Sequence, residues 1–161
     1  MASGETLCRF TPQCNEHPAA AFATLDLRNN HPVLDFALNE IGIFSSIFPR
    51  NYSGMSLTVL LHYAMTVAIA DDIKLETFFE RIGEVLDIDG DHFAAAQNTG
   101  DIIVPGTSGL VDIITTTHTH GAQIDNLVAG EGFRLKVKRI AVVGVDAAGD
   151  LELRFVEIRE T

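Results

Sequence analysis

The stretch Leu57-Thr58-Val59-Leu60-Leu61-His62-Tyr63-Ala64-Met65-Thr66-Val67 decides the fold class. Its odd positions, Leu57, Val59, Leu61, Tyr63, Met65 and Val67, are all apolar, while Thr58, Leu60, His62, Ala64 and Thr66 make a mixed face. Side chains of an extended strand point alternately to its two sides, whereas a helix would scatter either set around its circumference. The segment therefore predicts a strand with one buried face. The same period recurs three times. In Ile73–Ile82, Ile73, Leu75 and Phe79 oppose Lys74, Glu76 and Glu80. In Phe133–Lys138, Phe133, Leu135 and Val137 oppose Arg134, Lys136 and Lys138, and in Leu151–Phe155, Leu151, Leu153 and Phe155 oppose Glu152 and Arg154.

Shorter strands are predicted at Phe22–Leu27, Pro32–Phe36, Ile41–Phe48, Ile102–Val104 and Leu110–Thr117. Turn residues separate them: Asn29-Asn30, Pro49-Arg50-Asn51, Asp71-Asp72, Asp89-Gly90, Pro105-Gly106 and Gly149-Asp150. Strands at this spacing predict a sandwich or barrel of about eight to ten strands. Helix is expected only as single turns near His92–Gln97 and Ile124–Val128. The resulting expectation is an all-β protein: a single-domain β-sandwich or jelly roll over residues 19–161, preceded by an irregular N-terminal arm over residues 1–18. That arm holds Cys8, Cys14, Pro12 and Pro18 and shows no alternation.

Length and composition are consistent with this. The 161 residues are 47% apolar, and a chain of this size buries roughly 70% of the surface its unfolded form exposes. No metal or disulfide is needed to hold such a core, and Cys8 and Cys14 read as reduced thiols. Asp plus Glu number 22 against 11 Lys plus Arg, a net charge of -11. An acidic surface repels phosphate, so direct nucleic-acid binding is not expected. The close basic group Arg134, Lys136, Lys138 and Arg139 reads as one face of a strand. Met1–Gly4 has neither the positive n-region nor the apolar continuation of a secretory signal. The apolar stretch Leu57–Ala70 is broken by Thr58, His62 and Thr66 and is shorter than the roughly 20 residues of a membrane span. A soluble protein made in the cytoplasm is expected, with no membrane partner.

No catalytic constellation is complete. Ser45, Ser46, Ser53, Ser56 and Ser108 sit in no Gly-x-Ser-x-Gly elbow. Asp87-Ile88-Asp89-Gly90-Asp91 alternates carboxylates that could wrap calcium, but His92 and Asn98 stand where an EF-hand needs glycine and glutamate. A solvated acidic turn is the simpler reading of Asp87, Asp89 and Asp91. His118-Thr119-His120 could present two imidazoles on one side of a strand; alone they make half a metal site, and two exposed loop histidines is the simpler account. No cofactor is expected. His17, His31, His62 and His92 have no ligand-like spacing. The chain has no Trp and two Tyr, so an aromatic platform for sugars or bases is poorly supplied.

Several short stretches, in order, resemble a known group. They are Phe22-Ala23-Thr24-Leu25-Asp26, His31-Pro32-Val33-Leu34-Asp35-Phe36, Phe48-Pro49-Arg50-Asn51-Tyr52-Ser53-Gly54, Phe79-Glu80-Arg81-Ile82, Phe93-Ala94-Ala95-Ala96-Gln97, Gly121-Ala122-Gln123-Ile124-Asp125 and Phe133-Arg134-Leu135-Lys136-Val137. Together they look like small tailed-phage and prophage virion proteins of jelly-roll type, over about residues 10–160. The resemblance implies a structural, non-enzymatic role at the virion surface: a capsid decoration (cement) protein that stabilises the head shell, or a tail-fibre or receptor-binding module recognising a host surface glycan. It implies a homo-oligomer, a trimer by expectation, with the major capsid protein as partner. The sequence departs from that group over Tyr63–Lys74, where Met65, Val67, Ile69 and Ile73 make the stretch more aliphatic, as a subunit contact or a fuller core would. The mixed face Leu60, His62 and Ala64 is the candidate subunit interface, and the arm is the candidate segment to order on a neighbour.

Overall fold

The computed structural model describes residues 4–67 and 70–161. Met1–Ser3 of the expected arm and Ile69 of the aliphatic stretch lie outside the described residues. The early strands are β1 (Thr6–Phe10), β2 (Asn15–Glu16), β3 (Thr24–Arg28), β4 (His31–Phe36), β5 (Ile41–Ile47) and β6 (Leu57–Met65). They are followed by β7 (Asp72–Ile82), β8 (Gln97–Asn98), β9 (Ile102–Ile103), β10 (Asp112–His118), β11 (Gly132–Ile140) and β12 (Leu151–Glu160).

Two antiparallel sheets result, which is the expected β-sandwich. The first runs β10-β6-β12-β4-β3, with β1 also on β12; the second runs β2-β5-β11-β7-β8, with β9 also on β7. From β4 onward the long strands alternate between the sheets, so each long connection crosses an end of the sandwich. The odd residues of β6 face inward and are fully buried or nearly so, as are Ile73, Leu75 and Phe79 of β7 and Phe133, Leu135 and Val137 of β11. Rings knit the layers together: Phe10 of the first sheet lies 5.4 Å from Phe44 and 6.3 Å from Phe133 of the second. Gly42 on β5 has no side chain because Phe36 of the facing sheet fills that place; a Cβ there would come within 2.8 Å of the Phe36 ring.

Three expectations need correction. The segment 1–18 is not an irregular arm where it is described. β4 pairs with β12 only as far as Leu153, and β1 takes over the same edge of β12 from Val156 onward, burying Phe10. A 3-10 turn at Pro12–Cys14 then carries the chain across to β2 on the second sheet. A proline-led turn inside an eleven-residue crossing destroyed the period, so the pairing left no alternating signature. Secondly, Arg139 does not share a face with Arg134, Lys136 and Lys138: it points inward, is 2% exposed, and donates to three carbonyls. Thirdly, no helical turn forms at His92–Gln97; that stretch is irregular and ends in β8, while the other turn falls at Ala122–Ile124.

Cys8 and Cys14 are both free thiols. Cys8 is half-buried on β1, and burial pushes its thiol up to about 11, whereas Cys14 is exposed beside Thr11.

Candidate binding groove

The outer face of the first sheet carries a concavity, and a break in strand β12 shapes it. Strict alternation would send Phe155 inward with Leu151 and Leu153. Instead the register against β6 shifts between Leu153 and Phe155. Phe155 then stands opposite His62 on the outer face, and Val156 takes the inward place opposite Leu61. The bulge lies where the neighbour of β12 changes from β4 to β1, a junction at which no single register serves both partners. Its consequence is that Arg154 and Phe155, adjacent in sequence, reach the same side. The Arg154 guanidinium sits 4.2 Å from the centre of the Phe155 ring, and His62 meets that ring edge-on at 6.0 Å.

Beside them a groove of about 310 Å³ is lined by Arg28, His31, Val33, Ala64, Glu152 and Arg154, with Asn29, Gly109 and Val111 at its rim. Val33 and Ala64 form an apolar floor and are 4% and 5% exposed, although both belong to the outer face. One wall is the β3–β4 hairpin. Asn29 and Asn30 both take positive φ, +47° and +65°, as a two-residue hairpin turn matching the strand twist requires. This pairs Arg28 directly with His31. The opposite wall is the loop before β10, where Gly109 at φ +79° lets the Arg28 guanidinium pass; a Cβ would meet it at 2.8 Å.

Arg28 is fixed from three directions. It donates to the Met65 carbonyl at 3.1 Å and to Ser108 Oγ at 2.8 Å, and forms an ion pair with the buried Glu152. Glu152 stands opposite Asp35 across β12–β4. Burial, then the nearby Glu152 and Asp26, push the Asp35 carboxyl up to about 6. One of its oxygens is buried with no hydrogen-bond partner. Like charges directly opposite each other destabilise a sheet, and the ion pair with Arg28 offsets the Glu152 charge.

The groove recruits one of the residues picked from sequence. Ala64, a candidate for a subunit contact, lies recessed at the floor of the groove, while Leu60 and His62 are half-buried on the same face. His118 and His120 do not form a pair of loop ligands. His118 ends β10 and turns into the core, where Thr77 Oγ1 approaches its Nε2 at 2.8 Å and Nδ1 reaches the Gln123 carbonyl at 3.2 Å. Phe79 packs edge-on against it at 4.8 Å, and burial lowers its pKa to about 4. His120 is exposed, with Nδ1 2.9 Å from the Tyr52 hydroxyl. Of the acidic run, Asp87 accepts from the Asp89 amide and Asp91 reaches Arg134, so these two carboxylates serve separate partners. Among the described residues no three His, Cys, Asp or Glu side chains gather as a metal site would require. Arg28, His31, Glu152, Arg154 and Phe155 escaped sequence reasoning as a group. The Asn29-Asn30 turn was a visible sign of the hairpin wall, but nothing in the alternation of β12 signalled its bulge.

No family model matches the sequence, and no curated protein matches it. Solved structures do match the fold. The C-terminal CBM6 module of LamC, a marine laminarinase from Zobellia galactanivorans, aligns with 97% of this chain and 100% of its own, at TM-score 0.56 and 13% identity. A xylan-binding module, CBM15, aligns with 96% of this chain and 97% of its own at TM-score 0.52 and 9% identity. Part of a family GH115 4-O-methyl-α-glucuronidase with specificity for decorated arabinogalactans also matches, at TM-score 0.57 and 11% identity; the chain spans 18% of that enzyme. At these identities the likeness establishes the fold: a jelly-roll-like β-sandwich of the kind found in carbohydrate-binding modules.

Proposed function

We propose that this protein is a non-catalytic recognition module that binds a saccharide in the groove between the β3–β4 hairpin and the loop before β10. The observation that carries the reading is the groove's chemistry. Val33 and Ala64 offer an apolar floor, while Arg28, Asn29, His31, Glu152 and Arg154 ring it with donors and acceptors. A pyranose has the complementary pattern, C–H groups on its face and hydroxyls around its edge. The volume of about 310 Å³ lies at the lower end of the roughly 300–1,000 Å³ of small-molecule sites, as suits one or two sugar rings. Arg28 is held in place before any ligand arrives, so little ordering cost falls on binding. Two whole-chain structural neighbours are a CBM6 module and a xylan-binding module, which supports a binding role on this scaffold without fixing the ligand. The shortage of aromatic platforms, with Tyr52 and Tyr63 both buried, favours recognition by hydrogen bonds over stacking.

The test is a glycan array followed by titration calorimetry on hits, with Ala64→Leu to fill the floor and His31→Ala to remove an exposed wall. Both variants should keep the native melting transition and lose affinity, Ala64→Leu the more. Absence of binding to any glycan, or binding indifferent to both changes, refutes the reading.

A second reading keeps the structural virion role that the sequence resemblance implies. Leu110, Val111, Ile113 and Phe155 are exposed apolar residues on or beside the outer face of the first sheet, and such a surface suits assembly on a shell or with copies of itself. A concentration-independent trimer in sedimentation, with tight binding to phage heads, would favour it over the module reading. None of the structural neighbours named above is a phage protein.

A further inference from the structure

We infer that the saccharide is anionic, a uronic acid whose carboxylate is read by Arg154; this deepens the saccharide reading and rests on it. The two guanidiniums of the groove are not equivalent. Arg28 is committed to Glu152, Ser108 and the Met65 carbonyl. Arg154 makes no ion pair and no side-chain hydrogen bond among the described residues, and what fixes it is the Phe155 ring beneath it. A guanidinium held over a ring by its positive charge keeps N–H donors available to a further partner, and Arg154 lines the groove. The bulge in β12 is what brings it there, since a regular strand would place either Arg154 or Phe155 on this face.

The charge balance of the groove points the same way. Arg28 and Glu152 pair with each other, which leaves Arg154 as the guanidinium of the groove without an ion-pair partner among the described residues; the exposed His31 lines the same groove. A planar carboxylate matches the fork of a guanidinium with two parallel hydrogen bonds. A free carboxylate or phosphate would leave Val33 and Ala64 uncovered, whereas a sugar ring bearing the acid covers them.

Calorimetry on the intact chain should compare oligomers of galacturonate, glucuronate and mannuronate, their methyl esters, neutral xylo- and gluco-oligosaccharides, and a sulfated galactan oligomer. The expected result is that at least one uronate binds about tenfold or more tightly than its own methyl ester, the range of a charge-assisted hydrogen bond. That margin should shrink on raising salt, as a partly exposed ion pair does. Arg154→Gln should abolish the margin while leaving the melting temperature unchanged, and Arg154→Lys, which keeps charge without the fork, should restore part of it. An ester that binds as well as its acid, a preference for neutral or sulfated oligomers, or a margin that survives Arg154→Gln overturns the inference and leaves the saccharide reading standing. Failure of every oligosaccharide to bind overturns both.

Discussion

Acidification should destabilise this protein through a single buried imidazole, and replacing that imidazole should remove the effect. His118 is fully buried, and its hydrogen bonds define its neutral form. Nδ1–H donates to the Gln123 carbonyl; Nε2 then accepts from the Thr77 hydroxyl, which in turn accepts from Thr116 at 2.5 Å. A proton on Nε2 would face Thr77 with a second donor and place a charge against Phe79. Burial accordingly lowers the folded pKa to about 4 from an ordinary 6.5. With the folded value depressed, the unfolded chain binds the extra proton first. Stability is therefore fully present above pH 6.5 and is lost as pH falls toward 4. One pH unit is worth about 1.4 kcal/mol, so the full loss is about 3 kcal/mol, of which about 2 kcal/mol has gone by pH 5. Asp35 acts in the opposite sense over the same range and returns part of this, so the native chain should lose about 1–1.5 kcal/mol between pH 7 and 5. Urea denaturation at constant ionic strength and pH 7, 6 and 5 measures it. His118→Gln lowers stability at every pH through lost packing, and the slope is the decisive readout. In that variant stability should stay level or rise slightly on acidification. A His118→Gln chain that keeps the native slope refutes the argument.

Two further outcomes follow from the buried charges. Asp35→Asn should raise stability above pH 6: burial and Glu152 lift the folded Asp35 carboxyl to about 6, so its ionised form costs stability as pH rises from about 4. Discounted for partial exposure the gain is about 1 kcal/mol at pH 7, vanishing by pH 4, and a denaturation series with no pH-dependent gain contradicts it. Arg139→Ala should cost about 3 kcal/mol or more, because three carbonyls, of Phe36, Ala147 and Gly149, lose their donor inside the fold. A thermal shift of only a degree or two would show that water takes its place.

The fold class was legible because four long strands are each buried on one side, so the burden of hiding apolar surface is written into every second residue. β7 holds its predicted faces, β11 does so up to Lys138, beyond which Arg139 turns inward, and the ends of these two strands fall within two residues of the predicted ones. Legibility failed where two strand partners compete for one edge. β1 and β2 are short and separated by a proline-led turn, so neither spans enough residues to establish a period. His118 fell out for a related reason. Its place in β10 follows the inward set Ile114 and Thr116, but a histidine after three threonines reads as surface unless the Thr77 hydroxyl waiting across the sandwich is known.

The bulge in β12 is the most instructive failure, because the same departure that defeated the pattern shapes the groove. Had the alternation continued past Leu153, Phe155 would fill the core, Val156 would face solvent, and Arg154 would stand alone on the outer face without a ring beneath it. The inner place is instead taken by Val156, a smaller side chain, and the aromatic is spent on orienting a cation at the edge of a concave site. Moving a large ring out of the core forfeits burial worth about 1.5–3 kcal/mol. A strand that accepts such a loss next to an unpaired guanidinium, a like-charge carboxylate pair and a positive-φ glycine concentrates its departures from stability in one place. Consistency between local pattern and global fold is the rule, and sites of function are where it is broken. By that measure the groove beside Arg154 is the place on this sandwich to which the proposed recognition chemistry is assigned.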